Sequence, residues 1–215
     1  MKKGFFISFE GIDGCGKSTQ LSLFRKMLEE HGNSVLYIRE PGGTNIGEKI
    51  RSILLDKSNT EMFKETELLL FEAARAQIVR EVIQPALDEH KIVLCDRFFD
   101  ASIAYQGFAR GLNTEDIEQL NSFASGNLEP DITFLLDISS EKALKRRNHR
   151  LDAEDRLELE GKEFMDQVRA GYLYLAEKKS RIAVIDASSS EEKTAKKIES
   201  KFWEVINETD NIYRA

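Results

Sequence analysis

The feature that most constrains this sequence is a glycine-rich loop near its start, Gly11-Ile12-Asp13-Gly14-Cys15-Gly16-Lys17-Ser18-Thr19. An apolar run rich in β-forming residues precedes the loop, and a segment with helical periodicity follows it. This is the pattern Gly-x-x-x-x-Gly-Lys-Ser/Thr between a strand and a helix, the context in which it binds phosphate. Glycines let successive backbone N–H groups turn around an anion, and the following helix adds its positive end. An ordinary glycine turn is the alternative, but pattern and context together predict a nucleotide-phosphate site.

A second motif supports a magnesium site. In phosphate loops of this type the lysine, here Lys17, bridges the outer phosphates and the next hydroxyl, here Ser18, ligates Mg²⁺. The apolar run 92–95 ends at Asp96-Arg97, and a carboxylate at the end of such a strand lies beside the same ion. Many strands end in aspartate, so Asp96 indicates a metal site only in combination with the phosphate loop. The sequence therefore predicts Ser18 and Asp96 as the metal ligands.

Composition excludes several classes of protein. The 215 residues include 32% charged and 41% hydrophobic residues, as is ordinary for a soluble protein, and no apolar run reaches the length of a membrane span. The net charge of −7 argues against broad binding of nucleic acid or membrane surfaces. Two cysteines and three scattered histidines give neither a disulfide framework nor a zinc cluster. We expect a cytoplasmic protein without nucleic-acid or membrane partners.

Strand and helix patterns alternate along the whole chain and predict one α/β domain, residues 1–215. Five apolar runs, at 5–10, 34–38, 92–95, 131–137 and 182–185, predict a parallel sheet with helices on both faces. The turn 39–44 is followed by a helix that Thr44 or Asn45 would cap, and Thr114 would cap a later helix with Ile117, Leu120 and Phe123 on its apolar stripe. Ligands of such sheets bind at the carboxyl ends of the strands, so Lys17, Arg39 and Arg97 should line one cleft.

Two groups of polar side chains remain open to more than one interpretation. Arg75 interrupts the apolar stripe of a long predicted helix, and a buried cation needs a partner or a ligand; an arginine that extends to the rim of the core is an equal alternative. Ser102, Tyr105 and Gln106 share one helical face and could contact a base and a sugar. A polar patch satisfied within the protein is the alternative for these three.

A charged segment predicts a lid. Five cations occur within the nine residues 142–150, and acidic residues follow at once. Such a run is commonly a solvated helix face. In a phosphoryl-transfer enzyme, however, it can close over ATP and supply cations to the transferring group, and we place this lid at about residues 146–157.

Taken together, four motifs resemble the bacterial thymidylate kinase family. They are Phe9-Glu10-Gly11 with the phosphate loop, Arg39-Glu40-Pro41-Gly42-Gly43-Thr44, Asp96-Arg97-Phe98 and Ala104-Tyr105-Gln106-Gly107. Their order and spacing match over almost the whole chain, through Arg150-Leu151-Asp152 in the predicted lid. The resemblance implies a nucleoside monophosphate kinase that transfers the γ-phosphoryl group of ATP to dTMP with Mg²⁺, and it implies a homodimer formed through helix faces around residues 46–89.

The resemblance also implies residue roles. The ATP-binding residues would be Gly11, Ile12, Asp13, Gly14, Cys15, Gly16, Lys17, Ser18, Thr19 and Arg146. The dTMP-binding residues would be Asp13, Arg39, Pro41, Arg51, Phe71, Arg75, Arg97, Ser102, Tyr105 and Gln106. The catalytic residues would be Asp13, Lys17, Arg97 and Arg150.

Two positions depart from the family pattern. Some relatives carry an arginine where this loop has Gly14, so the missing cation would have to come from the lid, and Arg150 is our choice. Cys15 stands where a smaller residue is common, which predicts sensitivity to thiol reagents. Neither departure changes the expected fold or activity.

The main rivals are a kinase for another nucleotide or a deoxynucleoside, and a GTPase-type switch. The first is opposed by Phe71, Arg75, Ser102 and Gln106. The second needs a guanine-reading Asn-Lys-x-Asp segment, which the sequence lacks.

Overall fold

The computed structural model describes residues 4–147, 156–157 and 159–214, with residues 208–214 described by their backbone alone. Five strands form one parallel sheet in the order β2-β3-β1-β4-β5. They are β1 (Phe5–Glu10), β2 (Val35–Arg39), β3 (Ile92–Asp96), β4 (Ile132–Asp137) and β5 (Ile182–Asp186). The predicted fold class, a five-stranded parallel sheet between layers of helices, is confirmed.

Helices connect the strands on both faces of the sheet. Those in the first half are α1 (Lys17–Glu30), α2 (Asn45–Leu55), α3 (Lys64–Ile78) and α4 (Gln84–Asp88), with the π-helical segment Val79–Ile83 between the last two. In the second half they are α5 (Phe99–Ser102), the π-helical segment Ile103–Ala109, α6 (Thr114–Ser125), α7 (Ser140–Arg147), α8 (Lys162–Lys178) and α9 (Glu191–Arg214). Within the described ranges, no helix is both long and apolar enough to cross a bilayer.

The strands are apolar because both faces of the sheet are covered. Every residue of β1 is buried, and its alternate side chains enter two different hydrophobic clusters. Phe5, Ile7 and Phe9 pack in the larger cluster with α1, α8 and α9, whereas Phe6 packs on the other face. The central strand is thereby fixed in register, and the residues that follow it are held at one edge of the sheet.

Two local expectations were wrong and one was confirmed. Thr44 accepts a hydrogen bond from the Gly47 N–H at 2.9 Å and caps α2, as predicted. The cap of α6 is instead Asn113, whose side chain accepts from the N–H groups of Glu115 and Asp116, because an extended asparagine one residue earlier serves the same donors. Phe123 is 81% exposed, so it does not belong to the buried stripe of α6.

Candidate active site

The phosphate loop has the backbone conformation that its glycines permit. Gly11, Gly14 and Gly16 have positive φ values of 138°, 87° and 98°. A Cβ atom at Gly14 would lie 2.3 Å from the carbonyl oxygen of Ala143 in α7. The close approach of α7 thus requires glycine here, which gives a structural reason for the absence of a side chain at this position.

Strand order brings the loop and Arg97 together. β1 and β3 are neighbours, with Phe9 opposite Asp96, so the residues that follow the two strands meet at one edge of the sheet. Arg97 Nη2 donates to Asp13 Oδ1 at 2.6 Å, and Arg97 Nη1 donates to the Gly11 carbonyl at 2.9 Å. Burial would raise the pKa of Asp13, but the charges of Arg97 and Lys17 outweigh it and lower this pKa to about 2. Asp13 is therefore ionised near neutral pH.

Arg97 adopts a backbone conformation that is costly for a residue with a side chain. Its φ is +68°, in the left-handed region. The next N–H, that of Phe98, donates to Glu10 Oε1 at 2.6 Å, and the Arg97 guanidinium donates to the Tyr172 hydroxyl at 3.0 Å. Tyr172 in turn donates to Glu10 Oε2 at 2.8 Å. Glu10 therefore supports both the backbone next to Arg97 and, through Tyr172, the Arg97 side chain.

Glu10 belongs to one of the sequence motifs, but neither Glu10 nor Tyr172 was assigned a role from sequence. Glu10 is fully buried, and desolvation, with the negative charge of Asp100 as a second cause, raises its pKa to about 8. The one local signal was a carboxylate that ends a fully apolar strand. Nothing near Tyr172 in the sequence distinguishes it from the core tyrosines of other helices.

Arg75 does not extend to solvent. Only 1% of its surface is exposed, and it forms ion pairs with Glu40 at 2.9 Å and Glu72 at 2.5 Å. Its Nη1 also donates to Ser102 Oγ at 3.1 Å and to Asn121 Oδ1 at 2.9 Å. Burial raises the pKa of Glu40 to about 7, although the charge of Arg75 opposes this shift. The acidic cluster holds the guanidinium rigidly at the cavity wall.

The polar face formed by Ser102, Tyr105 and Gln106 is buried as well. Ser102 Oγ donates to Glu72 Oε1 at 3.1 Å, and Tyr105 donates to Asp13 Oδ2 at 3.1 Å. Gln106 Nε2 donates to Glu67 Oε1 at 2.9 Å. Each side chain has an internal partner, as a polar patch satisfied within the protein requires, and each also borders the cavity. Contact of this face with a base and a sugar stays a prediction.

The turn after β2 positions two more arginines. Arg51 Nη1 donates to the Pro41 carbonyl at 2.9 Å, and Arg39 Nη1 approaches the same oxygen at 3.4 Å. Arg39 also pairs with Glu48 at 3.1 Å. The turn therefore brings two cations to the same side of the cleft.

A single cavity of about 1290 Å³ joins these groups. Eighteen of the residues assigned from sequence to substrates or metal border it: Asp13, Gly14, Cys15, Gly16, Lys17, Ser18, Thr19, Arg39, Pro41, Arg51, Phe71, Arg75, Asp96, Arg97, Ser102, Tyr105, Gln106 and Arg146. Gly11 and Ile12 do not, and Ile12 is only 2% exposed. Arg150 lies outside the described residues.

Comparison with known proteins decides the family. The family model described as thymidylate kinase matches residues 9–198. A thymidylate kinase of Kosmotoga olearia is 50% identical over 198 residues, which cover 92% of this chain and 94% of that protein. One of a Thermoanaerobacter species is 51% identical over 173 residues, with 80% and 84% covered. The crystal structure of the thymidylate kinase from Ehrlichia chaffeensis superposes with a TM-score of 0.77 at 33% identity, over 93% of this chain and 98% of that one.

The chain belongs to the thymidylate kinase family. The family, fold and enzyme class predicted from sequence are thereby confirmed, and the protein is a phosphotransferase of the thymidylate kinase type.

The donors expected for Mg²⁺ in this family fit the ion chemically. Ser18 is the exposed second residue of α1, Asp96 ends β3, and both border the cavity. A hydroxyl and a carboxylate are hard oxygen donors, and Mg²⁺ bound with nucleotide phosphates needs few protein ligands. No group of three or more His, Cys, Asp or Glu side chains suited to a metal occurs among the described residues.

Burial opposes one expectation from the sequence, the sensitivity of Cys15 to thiol reagents. Cys15 is 2% exposed, and burial raises the pKa of its thiol. Because the thiolate is the reactive form, a buried thiol with a raised pKa is protected from thiol reagents. The substitution of a larger residue at this position fills space beneath the loop.

Proposed function

We propose that the protein transfers the γ-phosphoryl group of ATP to a phosphate oxygen of dTMP, which gives dTDP and ADP. The observation that carries this proposal is the shared cavity, which runs from the phosphate loop to Arg75 and Gln106. The cavity is large enough, and has enough positive side chains in its lining, for two phosphorylated ligands, one at each end.

The base of dTMP would bind beside α3 and the Ile103–Ala109 segment. Phe71 stacks on thymine, Arg75 donates to the thymine O4, and Ser102 and Gln106 contact the rest of the base edge. A donor at position 4 favours a keto group and disfavours cytosine, whose 4-amino group is itself a donor. Tyr105 lies where a ribose 2′-OH would have to fit.

The phosphate of dTMP would bind between the strand ends. Arg39, Arg51 and Arg97 neutralise it, and Asp13 lies next to the 3′-OH of the deoxyribose. The acceptor phosphate, with a second pKa near 6, is largely dianionic at pH 7. The reaction therefore needs no general base, and catalysis rests on in-line positioning and on charge neutralisation.

The ATP phosphates would bind in the loop 11–19, with Lys17 at the outer phosphates and Arg146 near the adenine. Arg146 Nη1 lies 3.5 Å from the Cys15 carbonyl and borders the cavity. Mg²⁺ held by Ser18 and Asp96 would supply positive charge to the phosphates. Arg150 would supply the cation that some relatives have in the phosphate loop, at the position of Gly14.

The assembly and location belong to the same proposal. Exposed apolar side chains on α2, α3 and α6 support a homodimer formed by these helices: Ile46, Ile53, Leu69 and Phe123. Both cysteines are free, which fits the reducing cytoplasm.

A substrate panel tests the proposed reaction. The protein is mixed with ATP, Mg²⁺ and one nucleoside monophosphate at a time, and ADP release is followed. We expect the highest kcat/KM with dTMP, and Lys17→Ala serves as the control for contaminating kinases. A preference for dGMP or dCMP would overturn the assignment.

A further inference from the structure

Glu67, near the start of α3, is a buried carboxylate to which no motif assigns a role. Only 1% of its surface is exposed. Arg110 donates to both of its oxygens at 3.3 Å, and Arg156 Nη2 donates to Oε2 at 2.5 Å. The fourth hydrogen bond comes from Gln106 Nε2, 2.9 Å from Oε1.

The charge of Glu67 decides which end of the Gln106 amide can face it. Burial alone would raise the pKa of Glu67, but the hydrogen bond from Gln106 and the charge of Arg110 outweigh burial and lower this pKa. An ionised carboxylate only accepts hydrogen bonds. The reverse orientation of the amide would put two acceptor oxygens face to face in a buried site and would lose the hydrogen bond between Gln106 and Glu67.

The orientation of the amide determines what the cavity presents to a ligand. Gln106 borders the same cavity as Arg75. With Nε2 engaged by Glu67, Oε1 is the amide atom left to accept a hydrogen bond from a base. The N3 atom of thymine carries a hydrogen and donates, whereas N3 of neutral cytosine accepts.

We infer that Glu67 is a specificity-positioning residue: it holds the Gln106 amide with Oε1 toward the base, which selects a pyrimidine that donates from N3. The inference rests on the proposed function, since it concerns the base-binding part of that site. Selection at N3 by Glu67 and Gln106 adds to selection at position 4 by Arg75, so the two contacts reject cytosine independently.

The test replaces the carboxylate by an amide of the same shape. In Glu67→Gln the new side chain can donate as well as accept, so Gln106 can turn over and present its NH₂ group to the base. We expect the ratio of kcat/KM for dTMP to that for dCMP to fall by at least about tenfold, the effect of one hydrogen bond whose polarity no longer matches. Most of the change should be a higher kcat/KM with dCMP. The value with dTMP should fall little, because the dTMP-binding orientation of the Gln106 amide stays populated and a half-populated state costs only about twofold in affinity.

A matched control separates this effect from damage to the network. Arg110→Gln breaks the same cluster but leaves the acceptor for Gln106, so the dTMP/dCMP ratio should stay within about twofold of wild type. The double variant Glu67→Gln/Gln106→Glu restores an amide–carboxylate pair with reversed roles, and position 106 then presents only acceptor oxygens. It should keep the wild-type preference even if Glu67→Gln alone does not fold.

The outcomes are distinct. An unchanged ratio in folded Glu67→Gln, an equal loss in Arg110→Gln, or loss of the preference in the double variant each overturns the inference. Wild-type protein that fails to phosphorylate dTMP would instead overturn the proposed function.

Discussion

The hydroxyl of Tyr172, in α8, donates a hydrogen bond of 2.8 Å to Oε2 of Glu10, the last residue of β1. The two residues are 162 positions apart in the sequence, and both are buried. Their contact matters because the same hydroxyl accepts a hydrogen bond from Arg97. A helix late in the chain thus helps to orient the arginine at the phosphate-binding edge.

Removal of this hydroxyl should impair the acceptor site. Tyr172→Phe removes the hydrogen-bond donor of Glu10 Oε2 and one acceptor of Arg97, at a cost of about 1–3 kcal/mol in stability. We expect kcat/KM for dTMP to fall about tenfold while KM for ATP changes little. Tyr174→Phe is the control, since Tyr174 lies on the same helix, is 46% exposed and packs on Phe108. Equal losses in the two variants would show that Tyr172 acts only through helix packing.

The raised pKa of Glu10, about 8 against an ordinary value of 4.5, predicts how stability changes with pH. Between these values the folded protein keeps a proton that the unfolded chain has released. The contribution of Glu10 to stability is therefore full below about pH 4.5 and is lost as the pH rises to about 8.

Glu10→Gln removes this titration and keeps the shape of the side chain. Urea unfolding at pH 5, 6.5 and 8 should show that the variant loses less stability than wild type over this range, by at least about 1 kcal/mol, since one fully shifted group contributes up to about 1.4 kcal/mol per pH unit. Glu40, whose pKa is raised to about 7, should leave a residual slope. Glu30→Gln, at an exposed position, should match wild type; parallel curves for all three proteins would contradict the prediction.

Arg150 is the proposed replacement for the cation that the phosphate loop lacks. Arg150→Ala should lower kcat by about a thousandfold, the range found for an arginine that neutralises a transferring phosphoryl group. Single-turnover measurements at saturating ATP and dTMP separate this effect from substrate binding. Arg146→Ala, at the adenine side, should mainly raise KM for ATP. Wild-type turnover in Arg150→Ala would eliminate its proposed role.

The homodimer prediction concerns the outer faces of α2, α3 and α6. Leu69 on α3 is 55% exposed, and a charge there should weaken an apolar interface. We expect light scattering to give twice the chain mass for wild type and a shift toward the monomer for Leu69→Asp at micromolar concentration. Leu23→Asp changes an exposed leucine on α1 and should leave the mass unchanged. A monomeric wild type would refute the proposed dimer.

Local patterns predicted the strands, the phosphate loop and the Thr44 cap because neighbouring residues determine each of them. The helix around Arg75 was also predicted, but its partners were not. Glu72 could have been predicted as a partner of Arg75, since residues three apart share a helix face. Glu40 lies 35 positions away, and only the turn after β2 brings it to Arg75.

The residues that support the site could not be predicted for the same reason. Glu10 and Glu67 act through partners distant in sequence, Tyr172 and Gln106, and no spacing rule connects them. Phe123 shows a different failure: helical periodicity places it on a stripe with Ile117, but whether that stripe is covered depends on the neighbouring helix. The geometry between distant elements, rather than residue type, determines these positions.

The order of the strands has a consequence for how the protein acquires its site. β1 lies between β3 and β4, and the hydrogen bond from the Phe6 N–H to Asp131 spans 125 residues. Pairings of such long range form slowly, because the chain must close large loops before they stabilise it. A nascent chain that has emerged only as far as α6 holds the phosphate loop, Asp96 and Arg97 but neither β4 nor Tyr172. Synthesis must therefore run through α8 before Arg97 has its full set of supporting contacts.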